Sequence, residues 1–267
     1  MTLDLFGDDL EMEVDHITSS WAHVYSSQDM LILAEPANDW WWFWRNSDWD
    51  DATNIHSFDI SEPGYTQYIG SGRVDGTVQD QFSISEFEGS VRIASTSDAW
   101  ARWWLLDEVD ENGEPIWNGP TNQVSILQPN EEGELEQIGF IGSIAEGETI
   151  WSARFVGDRG YLVTFENIDP LWVIDLSDPT NPVILGELEV PGVSTYIHPV
   201  NENTLLTIGI GPGEDGLGLD WSTTQISLFD ISDPTNPTLA DSLPISPVKV
   251  DENLSLIHIS EPTRPVM

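Results

Sequence analysis

The stretch 175-DLSDPTNPVILGEL-188 returns 55 residues later as 230-DISDPTNPTLADSL-243. The chain has no low-complexity character, yet it spells Asp-x-Ser-Asp-Pro-Thr-Asn-Pro twice, each time between strand-like apolar runs. Asp and Asn fold turns through hydrogen bonds from nearby backbone amides. Proline fixes φ and cannot continue a ladder, so the phrase reads as a hairpin with a stiff corner.

Two weaker copies lie upstream, "HSFDISEPGYTQYIGSG" from His56 and "NQVSILQPNEEGELEQIGFIG" from Asn122. Aligned on Pro63, Pro129, Pro179 and Pro234, the four copies are 66, 50 and 55 residues apart. A β-rich period near 50 is the signature of propeller blades. A four-stranded blade needs two strands before each hairpin, and each copy has them. They are "WAHVYSS" and "DMLILAE", then "QFSISEF" and "SVRIAST", "WSARFVG" and "GYLVTFE", and "STYIHPV" and "TLLTIGI". The expected fold is all-β, a propeller of about four four-stranded blades belonging to a larger, truncated ring. Residues 1–19 form an N-terminal segment and 20–253 the propeller, with blades at about 20–72, 82–142, 150–190 and 194–245. The competing architecture, a β-sandwich of eight hairpins, leaves the four in-phase prolines unexplained.

The tail "LSLIHISEPTRPVM" changes style abruptly, and 254–264 resembles a translated sequencing-library adapter. Residues 254–267 are therefore set aside, and the natural chain is expected to continue past Asn253.

The stretch Gly147–Pro199 resembles the β-propeller domain of secreted bacterial and archaeal proteins distantly related to WD-repeat proteins. "TNIHSFDIS" and "QFSISEFEGSVRIAST" resemble its earlier blades, and the hairpin phrase is similar to the LVIVD-type propeller repeat. The resemblance implies a secreted or surface propeller, often within a longer chain. It implies no reaction and brings no catalytic residues.

Charge narrows the partners. Forty-seven acidic residues stand against 8 basic ones, for a formal net charge of -39. Such a chain repels phosphate backbones and anionic membranes, which argues against nucleic acid as a partner. No apolar run approaches the roughly 18–20 residues of a membrane-spanning helix. With no cysteine there is no disulfide or thiolate chemistry. Acidity of this degree fits salty or extracellular water, so the expected location is extracellular or at the cell surface. The N-terminus shows no basic-then-apolar leader.

In each blade the loop between the second and third strands leaves the end opposite the stiff corners. The first, second and fourth of these loops are long: Glu35–Asn54, Ser97–Asn122 and Gly211–Trp221. They hold ten of the 13 tryptophans. Trp40, Trp41, Trp42, Trp44, Trp100, Trp103, Trp104 and Trp221 are the candidate ligand-binding residues. Indole faces among carboxylates suit sugar rings, cationic groups or a protein's apolar patch. Packing of the rings onto the blade tops is the competing account.

Calcium is a further candidate. Glu108, Asp110 and Asn112 sit at alternate positions before a glycine, and Asp48 and Asp50 crowd a second turn. The first loop departs from the calcium-loop pattern at its first position and again at its twelfth, Gly119. No other cofactor is expected. The histidines lack metal-ligand spacing, and no G-x-S-x-G elbow occurs. Glu86, Arg154 and His198 fall on innermost strands and are candidate channel-lining residues, with Arg154 expected to pair with Glu86. The residues favour a non-catalytic binding or scaffold propeller taking a carbohydrate or protein ligand. The alternatives are a carboxylate-based polysaccharide-degrading enzyme, or an accessory propeller beside a catalytic domain.

Overall fold

The computed structural model describes residues 2–3, 12–13, 17, 21–37, 51–97, 119–165, 169–213 and 218–245. Two short strands, β1 (Thr2–Leu3) and β2 (Met12–Glu13), pair with each other. The remaining strands form four antiparallel four-stranded sheets in which chain order equals spatial order. Blade I comprises β3 (His23–Ser26), β4 (Met30–Pro36), β5 (Ala52–Asp59) and β6 (Gln67–Asp75). Blade II comprises β7 (Ile84–Phe87), β8 (Ser90–Ser97), β9 (Thr121–Pro129) and β10 (Leu135–Ile144). Blade III comprises β11 (Thr149–Val156), β12 (Arg159–Phe165), β13 (Asp169–Asp175) and β14 (Val183–Val190). Blade IV comprises β15 (Val193–Asn201), β16 (Thr204–Pro212), β17 (Leu219–Asp230) and β18 (Thr238–Ile245). This is the all-β propeller architecture read from the repeat. One detail differs: the start of "QFSISEF" is a 3-10 turn at Gln81–Ser83. The Asp80 carboxylate accepts from the backbone N–H groups of Phe82 at 2.8 Å and Ser83 at 3.2 Å, which tightens the entry to β7.

The blades stack face to face, and alternating residues serve opposite neighbours. Met30, Ile32 and Ile55 of blade I pack with Val91, Ile93 and Leu127 of blade II. On the other face of blade II, Ala94, Val124 and Ile126 meet Ile150, Ala153, Leu162 and Ile174 of blade III. Tyr161, Val163, Leu171 and Val173 of blade III then meet Val193, Ile197, Leu205 and Phe229 of blade IV. Strand periodicity of two explains the division, since Tyr161 and Val163 face one way and Leu162 the other. Each fully buried aliphatic side chain contributes about 1.5–3 kcal/mol, so these three layers carry most of the stability. On the far face of blade IV, the register aligns Ile208, Ile226 and Leu243, of which Ile208 and Leu243 are exposed.

The repeated corners are near-identical in atomic detail. Asp178 Oδ1 accepts from the Thr180 N–H at 3.0 Å and its hydroxyl at 2.7 Å, and Asp233 accepts from Thr235 at the same two distances. Asp175 and Asp230 accept from the Ser177 and Ser232 N–H groups at 3.0 and 2.9 Å. In blade I the shorter phrase keeps the device, with Asp59 accepting from Ser61. In blade II Asn130 accepts from Glu132 and Glu134.

The corners also dock. The fourth strand of each of blades I to III passes so close to the corner of the next blade that only glycine fits. A Cβ on Gly139 of β10 would sit 1.9 Å from the Pro179 carbonyl oxygen. One on Gly186 of β14 would sit 2.7 Å from that of Pro234. Gly70 of β6 stands in the same relation to Gly133. The three glycines follow the β-bulge of their strand, and in blade IV the corresponding residue is Asp241.

Two predictions follow from these contacts. Gly139→Ala and Gly186→Ala gain strand propensity but must separate two backbones, so each should destabilise by about 1–3 kcal/mol, with Gly139→Ala the worse. An unchanged or raised urea midpoint would refute the docking.

The second concerns pH. Side-chain and backbone donors from Thr180 and Thr235 hold Asp178 and Asp233 below the ordinary carboxylate value of 3.8. Burial holds His23 below 6.5. In both cases the unfolded chain binds protons more readily, so stability is full above pH 6.5 and is lost as pH falls. It should fall first through the His23 range and again below 3.8. The melting temperature should be followed in about 1 M salt, where a Debye length near 3 Å silences repulsion from the net charge.

Candidate functional site

The antiparallel order gives each blade two distinct ends. The stiff corners share one end with the turns of the innermost hairpins. The opposite end receives the second-to-third-strand loops and the start of each innermost strand.

The described tryptophans that reach solvent lie at this loop end. Trp221, at the start of β17, is 73% exposed, and Trp21, just before β3, is 56% exposed. Trp221 lies 6.2 Å from the Trp151 ring, and Trp151 meets Phe165 edge-on at 5.6 Å. Trp151 is the third residue of β11 and Phe165 closes β12, so the three rings form a continuous aromatic line across blades III and IV. Trp151 and Phe165 are anchored in the core between those blades, which gives Trp221 a firm floor. On the opposite face of blade III, Trp172 packs against the blade II–III core and donates to Thr164, which itself donates to Glu148. Trp151 was not among the candidates. Its signal was a large ring at the first turn of an innermost strand, on the side where the long loops emerge.

The loops themselves anchor at this end through Ala37 and Asp51 in blade I and through Ser97 and Gly119 in blade II. Of the candidates, Trp40, Trp41, Trp42, Trp44, Trp100, Trp103 and Trp104 lie outside the described residues, as do Asp48, Asp50, Glu108, Asp110 and Asn112. Among the described residues no cluster of three or more His, Asp or Glu is placed to hold a metal ion.

Toward the corner end, the innermost strands of the four blades surround a cavity of about 500 Å³. Its wall includes Val24, Ser85, Arg154 and Pro199, each two residues before the last pair of its blade's innermost hairpin. Arg154 therefore lines the channel, while Glu86 and His198 are not among the cavity's lining residues. Glu86 accepts from the Gly89 N–H at 3.0 Å and so closes its own hairpin turn. Arg154 lies over the Phe82 ring at 4.9 Å in place of the expected pair with Glu86. His198 stacks on Tyr196, whose ring meets Phe82 edge-on at 5.5 Å.

The deeply buried arginine is Arg92, only 4% exposed. It donates to the Gly157 carbonyl at 2.5 Å and the Ser85 hydroxyl at 2.9 Å, and lies between the Phe87 and Phe155 rings. Burial draws it below its ordinary value, to about 10, against the pull of Tyr25, Glu86 and Asp158. It stays charged at neutral pH and ties blade II to the β11–β12 turn of blade III. The clue in sequence was a lone cation inside "SVRIAST", a run otherwise suited to burial on both faces.

The sequence model of the β-propeller domain matches residues 1–253, and the chain belongs to that family. It is 37% identical over 188 residues to an uncharacterised protein of Methanocaldococcus jannaschii, covering 70% of this chain and 25% of that protein. It is 34% identical over 195 residues to an uncharacterised protein of Archaeoglobus fulgidus, covering 71% and 26% respectively. The chain thus spans about a quarter of the length of these curated relatives.

Removing the blade II–III tie should be costly. Arg92→Ala leaves a carbonyl and a hydroxyl without their charged donor and should destabilise by about 3 kcal/mol in urea melts. Arg92→Lys keeps the charge but lacks the planar fork, and should recover less than half of that loss. Equal midpoints for wild type and Arg92→Ala would show that the contact contributes nothing.

Proposed function

We propose that this propeller is a non-catalytic binding module whose ligand lies across the Trp-rich loop end. The observation that carries the reading is the aromatic line from Trp221 through Trp151 to Phe165, exposed at one end and anchored in the blade III–IV core at the other. A single exposed indole is common; one seated on two further rings is preorganised, and its ordering cost is met on folding rather than on binding. The long loops of blades I and II are anchored at this end, and their sequences hold nine more tryptophans among Asp and Glu. That composition favours a carbohydrate, with rings stacking on indoles and hydroxyls donating to carboxylates. A protein's apolar or cationic patch would use the same surface. The net charge of -39 supports an extracellular or cell-surface setting, where counter-ions screen it.

The test is retention on insoluble polysaccharides. Wild type should be retained on at least one of them. Trp221→Ala should weaken retention about tenfold, and Trp41→Ala with Trp103→Ala should abolish it, all without loss of melting temperature. Undiminished retention by these variants would remove the loop end as the site. Release of reducing ends by wild type would replace the non-catalytic reading with the polysaccharide-degrading one.

A further inference from the structure

We propose that the cavity at the corner end of the channel is a second binding site, specific for a small carboxylate with an apolar body, and that Arg154 is its anion receptor. The site is separate from the tryptophans of the loop end and does not depend on them.

The four equivalent wall positions make the case. Val24, Ser85 and Pro199 are uncharged, and only blade III places a charge there. The chain has 8 basic residues and 47 acidic ones, so an arginine could find a carboxylate almost anywhere on this surface. Yet among the described residues Arg154 makes no ion pair, and its partner is the Phe82 ring. Arg92, nearby, is 4% exposed and turns its two terminal nitrogens to Gly157 and Ser85, away from any ligand.

The geometry then selects the ligand. A guanidinium held over a ring spends none of its N–H groups on a carboxylate or carbonyl, and the planar fork matches an incoming carboxylate with two parallel hydrogen bonds. Tyr196 packs edge-on against Phe82 and holds the ring in place. Beyond Arg154 the wall carries no charge: Val24, Ile84, Phe155 and Val156 supply apolar surface, and Tyr25, Ser26, Gln81 and Ser85 are neutral polar groups. One fixed positive charge in an otherwise uncharged, partly apolar wall suits a monoanion with a hydrocarbon body. A phosphate dianion would need further cations. A volume of about 500 Å³ lies within the roughly 300–1,000 Å³ of small-molecule pockets. The acidic exterior slows approach of an anion but acts little inside, because the Debye length is about 8 Å at physiological ionic strength.

The experiment is a ligand-observed NMR titration of the full chain with phenylacetate, phenylacetamide and inorganic phosphate. Wild type should bind phenylacetate saturably, with phenylacetamide and phosphate each at least about tenfold weaker. Arg154→Gln should reduce phenylacetate to the level of the amide while leaving the amide and the melting temperature unchanged. Arg154→Lys, which keeps the charge without the fork, should fall between. Equal binding of acid and amide by wild type would overturn the proposal without recourse to any variant. So would equal binding of phosphate, undiminished binding by a folded Arg154→Gln, or an absence of saturable phenylacetate binding.

Discussion

A four-stranded sheet with apolar side chains on both faces cannot satisfy itself, and in this protein every blade leans on its neighbours to do so. Leu162 and Val163 are adjacent in β12, yet one belongs to the layer shared with blade II and the other to the layer shared with blade IV. A one-residue slip in that strand would exchange the two layers and misplace both. Register, blade spacing and the convergence of the innermost strands all follow from satisfying both faces at once. The corners and glycines refine this arrangement by setting how closely outer strands approach.

The architecture was legible because a propeller is written in repeats. Four turn prolines in phase with paired strands place the chain in an all-β repeat fold before any coordinate is consulted. The docking of corners was harder to read. In the sequence Pro179 and Pro234 look like local punctuation, because their partners Gly139 and Gly186 are some 40 to 50 residues away and belong to the preceding blade. Local turn chemistry explains why a corner is stiff, but only the stacking of blades reveals what leans on it. The pairing of Arg154 was misjudged for a related reason. Opposite charge on neighbouring innermost strands suggested Glu86, but that carboxylate is drawn to the Gly89 amide three residues away, a partner available without ordering a second long side chain.

The distribution of charge has its own logic. Acidic side chains cover the exterior, whereas Arg92 and Arg154 sit near the channel, one locked between blades and one facing the cavity. Arg92 is held by carbonyl, hydroxyl and ring partners and Arg154 by a ring alone, neither by a carboxylate. The protein thereby places two of its few cations near its centre while its sequence remains strongly acidic. The loop end is organised differently, with the exposed indole of Trp221 resting on a floor supplied by Trp151 and Phe165. The two ends therefore have different chemistry on one scaffold.

The glycine-to-corner contact is directional: each blade offers a corner to the one before it and a glycine to the one after. A segment carrying both halves is a self-contained connector. Copying one whole period in frame would give a new blade that already fits between its parent and the next, whereas a duplication of any other length would separate corner from glycine. An ancestral array of this kind can lengthen by unequal exchange without any new contact being devised. Asp241 breaks the series. Where the first three blades present a bare backbone to a successor, blade IV presents a carboxylate, so whatever adjoins β18 meets a different surface from the one the repeat prescribes.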